Sequence, residues 1–295
     1  MRIFMTGATG FIGSYIAYEF LAAGHELVVT ARSADKLPAL SSHPRVLRVH
    51  AKLTDEAALR NALQGADACV HVALGWGDTP SSMLENDTEP TVKLLEFARA
   101  AGVKKFIYTS STAALGPFFA LMNEAHPARP NDYYGATKAA SEAYVLAVGA
   151  QGAMACNVIR PGYTFGNPIV PGATTQPDRR FHQIAAAAKR GDEIALGAGD
   201  GTQFVWAGDL SRLYRALLDS DRNREVYFGL GAPFVSWEQI AERARQLAGT
   251  DGRITLRGQS GAPCLFDLSK IKRHFGLEFQ SAEHIDEHLR YLLTL

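Results

Sequence analysis

"RIFMTGATGFIG", residues 2–13, sets a short apolar run directly before three glycines, Gly7, Gly10 and Gly13. The run is too short for a helix and suits a buried strand, while the residues behind the glycines take up a helical period. Glycines at this spacing let the chain turn tightly and bring a pyrophosphate close to backbone N–H groups at a helix N-terminus. Gly7 and Gly10 serve the turn and that approach; Gly13 lets helix and strand pack closely. The triplet alone is weak evidence, because glycine-rich turns are common. Its place after a strand and at the opening of a helix turns it into a dinucleotide signal.

The same alternation continues outward. Further strands are read at 26–30, 45–50, 68–73, 105–110 and 154–160, and helices at 11–24, 55–65, 82–102 and 133–152. Strands spaced by helices of this size imply a doubly wound α/β fold with a parallel sheet, whose ligands bind at the carboxyl ends of the strands. After "RPGYTFGNP" (160–168) the rhythm breaks into a Gly-, Pro- and Thr-rich stretch with a helix at about 178–190. We expect a dinucleotide-binding domain at 1–165, rejoined by 204–230, and a smaller, mostly helical substrate-binding lobe at 166–295. In that lobe Ser236, with Glu238 or Gln239, is read as a helix cap.

Composition narrows the partners. Of 295 residues, 47% are hydrophobic and 20% charged, and the formal net charge is zero. No nucleic acid or acidic membrane surface is implied, and no apolar run approaches a membrane span. The apolar start is too short for a signal peptide and leads straight into the glycines, so a cytoplasmic protein is expected. Cys69, Cys156 and Cys264 stand far apart and read as buried thiols, and no metal site is expected.

The end of the second strand separates two dinucleotides. NAD-binding folds usually carry an acid there, whereas an arginine accommodates a 2′-phosphate. Here "VVTARSADK" (28–36) offers Arg32 and Lys36, with Asp35 as the one carboxylate close by. NADP(H) is therefore expected over NAD(H), which stays possible.

"NDYYGATK" (131–138) puts Tyr134 and Lys138 one helical turn apart, on one face. An ammonium beside a phenol favours the phenolate and lowers its pKa toward neutrality. "FIYTSSTAALG" (106–116), after a strand, supplies a hydroxyl to hold a carbonyl oxygen, with Ser111 preferred over Ser110 and Thr112.

Taken together, "TGATGFIG", "GADACVHVA", "LLEFARAAGVKKFIYTSS", "YYGATKAASE", "RPGYTFGNP" and "GDGTQFVWAGDL" resemble the extended, epimerase/dehydratase-like branch of the short-chain dehydrogenase/reductase superfamily. That resemblance implies a Rossmann fold, with Tyr134 as general acid/base, Lys138 as its modulator and ribose contact, and Ser111 as oxyanion donor. It also implies that Phe11 and Ile12 cover the pyrophosphate, that Val72, Ala73 and Leu74 line the adenosine ribose, and that Thr109, Pro161 and Gly162 adjoin the nicotinamide. A homodimer through helices at 83–101 and 133–149 follows from the same likeness. Lys52, followed by Leu53, replaces the usual Asp after the third strand; it adds positive charge near a 2′-phosphate. Asn86 and Asp87 align ambiguously. Thr202 and Gln203 stand where nucleotide-sugar enzymes place an arginine, leaving Arg179 and Arg180 as the only nearby substitutes. The expected function is hydride transfer between NADP(H) and a small carbonyl or alcohol. The alternatives are a sugar-nucleotide epimerase or dehydratase retaining NAD, and a dinucleotide sensor without turnover.

Overall fold

A computed structural model describes residues 1–33, 36–259 and 261–295, so Asp35 lies outside the described residues. The central sheet contains β1 (Arg2–Thr6), β2 (Glu26–Ala31), β3 (Val46–His50), β4 (Ala68–His71), β5 (Lys105–Thr109), β6 (Ala155–Pro161) and β7 (Val226–Gly229). Their order is β7-β6-β5-β4-β1-β2-β3, and every pairing is parallel. The chain steps from β1 to one edge, recrosses it and steps from β4 to the other. That reversal opens a crevice between β1 and β4 at their carboxyl ends.

The α-helices of seven or more residues are α1 (Phe11–Ala22), α2 (Glu56–Ala62), α3 (Glu89–Ala100), α4 (Tyr133–Ala150), α5 (Arg180–Arg190), α6 (Ala207–Asp219), α7 (Trp237–Ala248), α8 (Ser269–Phe275) and α9 (Ala282–Thr294). Strand side chains alternate between the sheet's two faces. Ile3 and Met5 of β1 join Ile16 and Phe20 of α1 and Leu213 and Leu217 of α6 in one core. Phe4 joins Leu59 of α2, Leu94 of α3 and Val145 of α4 in the other. Burial on both faces explains why β1 reads as a continuous apolar run. A third core gathers Phe181, Trp237, Ile240 and Leu289 from α5, α7 and α9 around Phe204. The cap on α7 is a reciprocal pair between Ser236 and Gln239, not Glu238.

Two departures shape the site. The fourth strand stops at His71: the Val72 N–H is shared between Thr6 O at 3.3 Å and Thr6 Oγ1 at 3.2 Å, and the Ala73 N–H goes to Thr6 Oγ1 at 3.2 Å. The helix expected over 82–102 is interrupted by a wide turn at Leu84–Thr88, where the Glu89 N–H reaches back to Leu84 O. Pro90 explains the break: it has no N–H to give the Asn86 carbonyl one turn earlier. Cys69 and Cys156 are buried, Cys264 only partly, and all three are free. Among the described residues, no helix is long and apolar enough to cross a membrane.

Candidate active site

The three glycines divide their work as the spacing implies. Gly7 has a φ of +74°, and a Cβ on it would lie 2.6 Å from Ala73 N. A Cβ on Gly13 would lie 2.0 Å from Gly7 O, so the helix seats directly on the turn. At Gly10, by contrast, a Cβ would meet only Gly7 O, at 3.3 Å. Packing barely asks for glycine there; what a side chain would fill is the cradle in front of α1. No side chain caps α1 and no acid occupies its first turn. Its free N–H groups and the helix dipole suit a pyrophosphate.

From this turn a cavity of about 640 Å³ runs along the carboxyl edge of the sheet. Phe11 and Ile12 line it beside the glycines. Arg32 and Lys36 enter after β2, Lys52 and Leu53 after β3, and Val72, Ala73 and Leu74 after β4. Thr109 and Ser111 come from the end of β5, Tyr134 and Lys138 from α4, and Pro161 and Gly162 from the end of β6. The glycines, the expected cofactor contacts and the Ser111, Tyr134 and Lys138 set thus reach one cavity. The sequence reading missed Thr9, Trp76 and Pro177, which also line it. Their loops carry no spacing rule, although a tryptophan between Gly75 and Gly77 was a visible oddity. Arg32, Lys36 and Lys52 are exposed, and no Asp or Glu is among the described lining residues.

At the other end, Ser111 Oγ accepts from the Ala113 N–H at 3.2 Å and sits beside the partly buried Tyr134 phenol. Ser110 is diverted: its hydroxyl donates to Glu142 Oε1. Lys138 is 3% exposed and meets Asp87 Oδ2 at 3.5 Å, its Nζ lying 5.8 Å from the Tyr134 ring centre. Burial pushes the Lys138 ammonium down, and Asp87 opposes the shift. The expectation for Tyr134 needs correcting. Burial raises its pKa above the ordinary value; the Ser111 hydroxyl works against this, and Asp87 and Asp132 reinforce it.

Asp87 sits at this point because of the wide turn. Its Oδ1 also accepts from the Gly75 N–H at 2.9 Å, tying the loop after β4 to the Lys138 ion pair. His71 closes a second buried chain. Thr91 Oγ1 donates to Asp87 O at 2.7 Å, so it accepts from His71 Nε2, 2.9 Å away. His71 Nδ1 then accepts from Thr6 Oγ1 at 2.6 Å, which fixes the neutral tautomer. Burial, aided by the Lys138 charge, holds this imidazole down at about 3. Beneath Ser110, Arg160 grips Glu142 through two bonds, Nε to Oε1 at 2.9 Å and Nη2 to Oε2 at 2.7 Å.

The arginines offered for a diphosphate are placed elsewhere. Arg180 pairs with Asp200 at 3.1 Å and lies over the Trp237 ring, and neither it nor Arg179 lines the cavity. Gln203 Oε1 accepts from the Phe266 N–H, and Thr202 pairs in register with Val235.

A doubly wound sheet with a glycine turn at its switch point defines a Rossmann-type dinucleotide fold. The chain belongs to the NAD dependent epimerase/dehydratase family, whose model matches residues 3–228. It is 32% identical over 180 residues to a 3-beta-hydroxysteroid dehydrogenase of Mycolicibacterium neoaurum, covering 56% of this chain and 48% of that protein. The chain thus spans about half the length of this curated relative. It is 29% identical over 293 residues to a dTDP-4-dehydro-6-deoxy-D-allose reductase of Streptomyces, covering 91% of this chain and 89% of that protein. Among solved structures, the UDP-glucuronic acid 4-epimerase of Bacillus cereus in complex with NAD superposes with a TM-score of 0.84, at 21% identity over 100% of this chain and 99% of that one. The dTDP-glucose 4,6-dehydratase of Streptomyces venezuelae, with NAD bound, gives 0.82 at 23% identity over 99% and 96%. At these identities the two structures establish the fold.

Proposed function

We propose that this chain is an NADP(H)-dependent oxidoreductase that acts on a small carbonyl or alcohol through Ser111, Tyr134 and Lys138. The observation that carries the reading is the single cavity that holds both the uncapped glycine turn and those three side chains. Preference for the phosphorylated dinucleotide rests on Arg32, Lys36 and Lys52 at the adenosine end, with no carboxylate among the described lining residues. The reductase relative aligned across nine-tenths of the chain supports hydride transfer. From the expected substrate lobe, Pro177 lines the same cavity.

When bound, the nicotinamide supplies or accepts the hydride. Tyr134, whose pKa is raised, is in its acid form at neutral pH. In reduction it donates its proton to the carbonyl oxygen as charge develops there, and solvent replaces that proton afterwards. The Ser111 hydroxyl holds the same oxygen. Lys138, which meets Asp87, would hold the nicotinamide ribose through its remaining N–H groups. A raised phenol pKa favours reduction near neutrality and leaves oxidation to gain as pH rises.

Tyr134→Phe tests the assignment. Consumption of NADPH against a panel of ketones and aldehydes should fall about 10²- to 10⁴-fold. Calorimetric affinity for NADPH should stay within about threefold of the parent, which is well under 1.4 kcal/mol. Retained turnover would refute the role. Protein that purifies with NAD firmly held and consumes no NADPH would favour the epimerase or dehydratase alternative instead. The displacement of Thr202, Gln203, Arg179 and Arg180 from the cavity argues against that outcome.

A further inference from the structure

Trp76 is the largest exposed aromatic side chain of the molecule, 62% exposed, yet it lines the cavity beside the reactive phenol. Its ring centre lies 6.4 Å from that of Tyr134 at an interplanar angle of 33°. An exposed indole costs solvation unless something covers it, and this one is held in place. Its Nε1–H donates to Asp78 Oδ1 at 2.9 Å, and its carbonyl accepts from Asn86 Nδ2 at 2.9 Å. The preceding residue is tied through the Gly75 N–H to Asp87 Oδ1, also at 2.9 Å. The loop is thus bonded at three points to itself and to the wide turn before α3. The cost of ordering a platform has been met before any ligand arrives.

The surroundings say what the platform would take. Leu74, Asn86 and Ser111 share this end of the cavity with Trp76, and none is charged. Lys138 is the only cation at this end among the described lining residues, and it faces Asp87. Arg32, Lys36 and Lys52 follow β2 and β3, three or more strand positions from β5, or about 14 Å at ~4.8 Å per strand. Among the described lining residues, no cation besides the Asp87-paired Lys138 therefore stands beside Tyr134 to meet an anionic substrate group. An indole face that is fixed, apolar and uncovered favours a flat ring over a flexible alkyl chain, since stacking adds to simple burial.

We infer that Trp76 is a specificity-determining residue, and that the substrate class is uncharged ketones or alcohols carrying a flat ring that stacks on its indole. This rests on the oxidoreductase reading for the reaction but not for the binding. The probes are 2-acetylnaphthalene and 2-dodecanone, equal in carbon count. Each is titrated calorimetrically into the NADP⁺-loaded protein and assayed for NADPH consumption. Wild type should bind the ring ketone about tenfold more tightly than the alkyl ketone, the factor that ~1.4 kcal/mol of stacking supplies. Trp76→Ala should abolish that preference by weakening the ring ketone alone, and Trp76→Phe should keep most of it. No preference in wild type, equal losses for the two ketones, or an unchanged preference in Trp76→Ala would overturn the inference. Ring preference without turnover would leave it standing while refuting the oxidoreductase reading.

Discussion

Acidification should destabilise this protein through two buried histidines well before its carboxylates titrate. His71 links the glycine turn to the wide turn before α3, as described above. His288 on α9 bonds Asn167 Oδ1 through Nδ1 at 2.7 Å and Gln176 Nε2 through Nε2 at 3.0 Å. Burial is the main cause that lowers each to about 3, from 6.5 in the open chain. The sign follows directly: the unfolded chain takes up these protons first, so stability is complete above pH 6.5 and declines as the pH falls toward 3. At pH 5 the shortfall is about 1.5 pH units per histidine, or about 2 kcal/mol each at 1.36 kcal/mol per unit. For the pair that is ~4 kcal/mol, a large share of a usual stability of about 5–15 kcal/mol. Urea unfolding at pH 7.5 and pH 5 measures it. With an m-value of about 3 kcal/mol/M, the midpoint should drop by a little over ~1 M. Asparagine keeps one donor and one acceptor but cannot titrate, so His71→Asn with His288→Asn should remove most of that drop. A double variant that loses as much midpoint as the parent would show that these imidazoles are not the groups responsible.

Arg32→Ala should weaken NADPH by about 10- to 100-fold, the worth of one charge-assisted contact at ~1.5–3 kcal/mol, and leave NADH within about twofold. The gap should narrow as salt is added, since Arg32 is exposed; equal losses for the two cofactors would refute a 2′-phosphate contact. Glu142→Gln leaves the Arg160 guanidinium buried without its counter-charge and should cost about 3–5 kcal/mol in urea unfolding at pH 7.5. An unchanged midpoint would mean that Arg160 finds other compensation.

Local spacing made the glycine turn, the first six strands of the sheet and the Tyr134–Lys138 face legible, because each depends on residues a few positions apart. What stayed hidden depends on distant partners. Asp87 meets Lys138 across 51 positions, and Thr6 meets His71 across 65. No pattern in "ENDTEPT" says which acid faces the lysine; the wide turn forced before Pro90 decides it. Sequence spacing likewise shows a cation near the phenol but not the burial that raises the Tyr134 pKa. Ser110 and Ser111 are neighbours with equal chemistry. Only the fold shows that one hydroxyl is committed to Glu142 and the other adjoins the Tyr134 phenol.

Tyr134, Lys138 and Glu142 of α4 recur every four residues, so they climb one face of the helix. Each meets a different part of the fold: the serine after β5, the carboxylate of the wide turn, and the arginine of β6 together with Ser110. A one-residue rotation of α4 is about 100°, enough to lose all three contacts together. A buried ion pair is weak evidence for stability, because desolvation offsets most of its attraction. Its bidentate geometry, however, admits only one rotation of the helix about its axis. The expectation is that the Glu142–Arg160 pair positions Tyr134 by fixing the rotation of α4, two turns from the phenol. The Glu142→Gln variant separates this from a purely stabilising role. At low temperature, where the folded form still dominates, misrotation lowers kcat while the affinity for NADPH at the glycine turn persists. Lost stability alone leaves the kcat of the folded fraction unchanged.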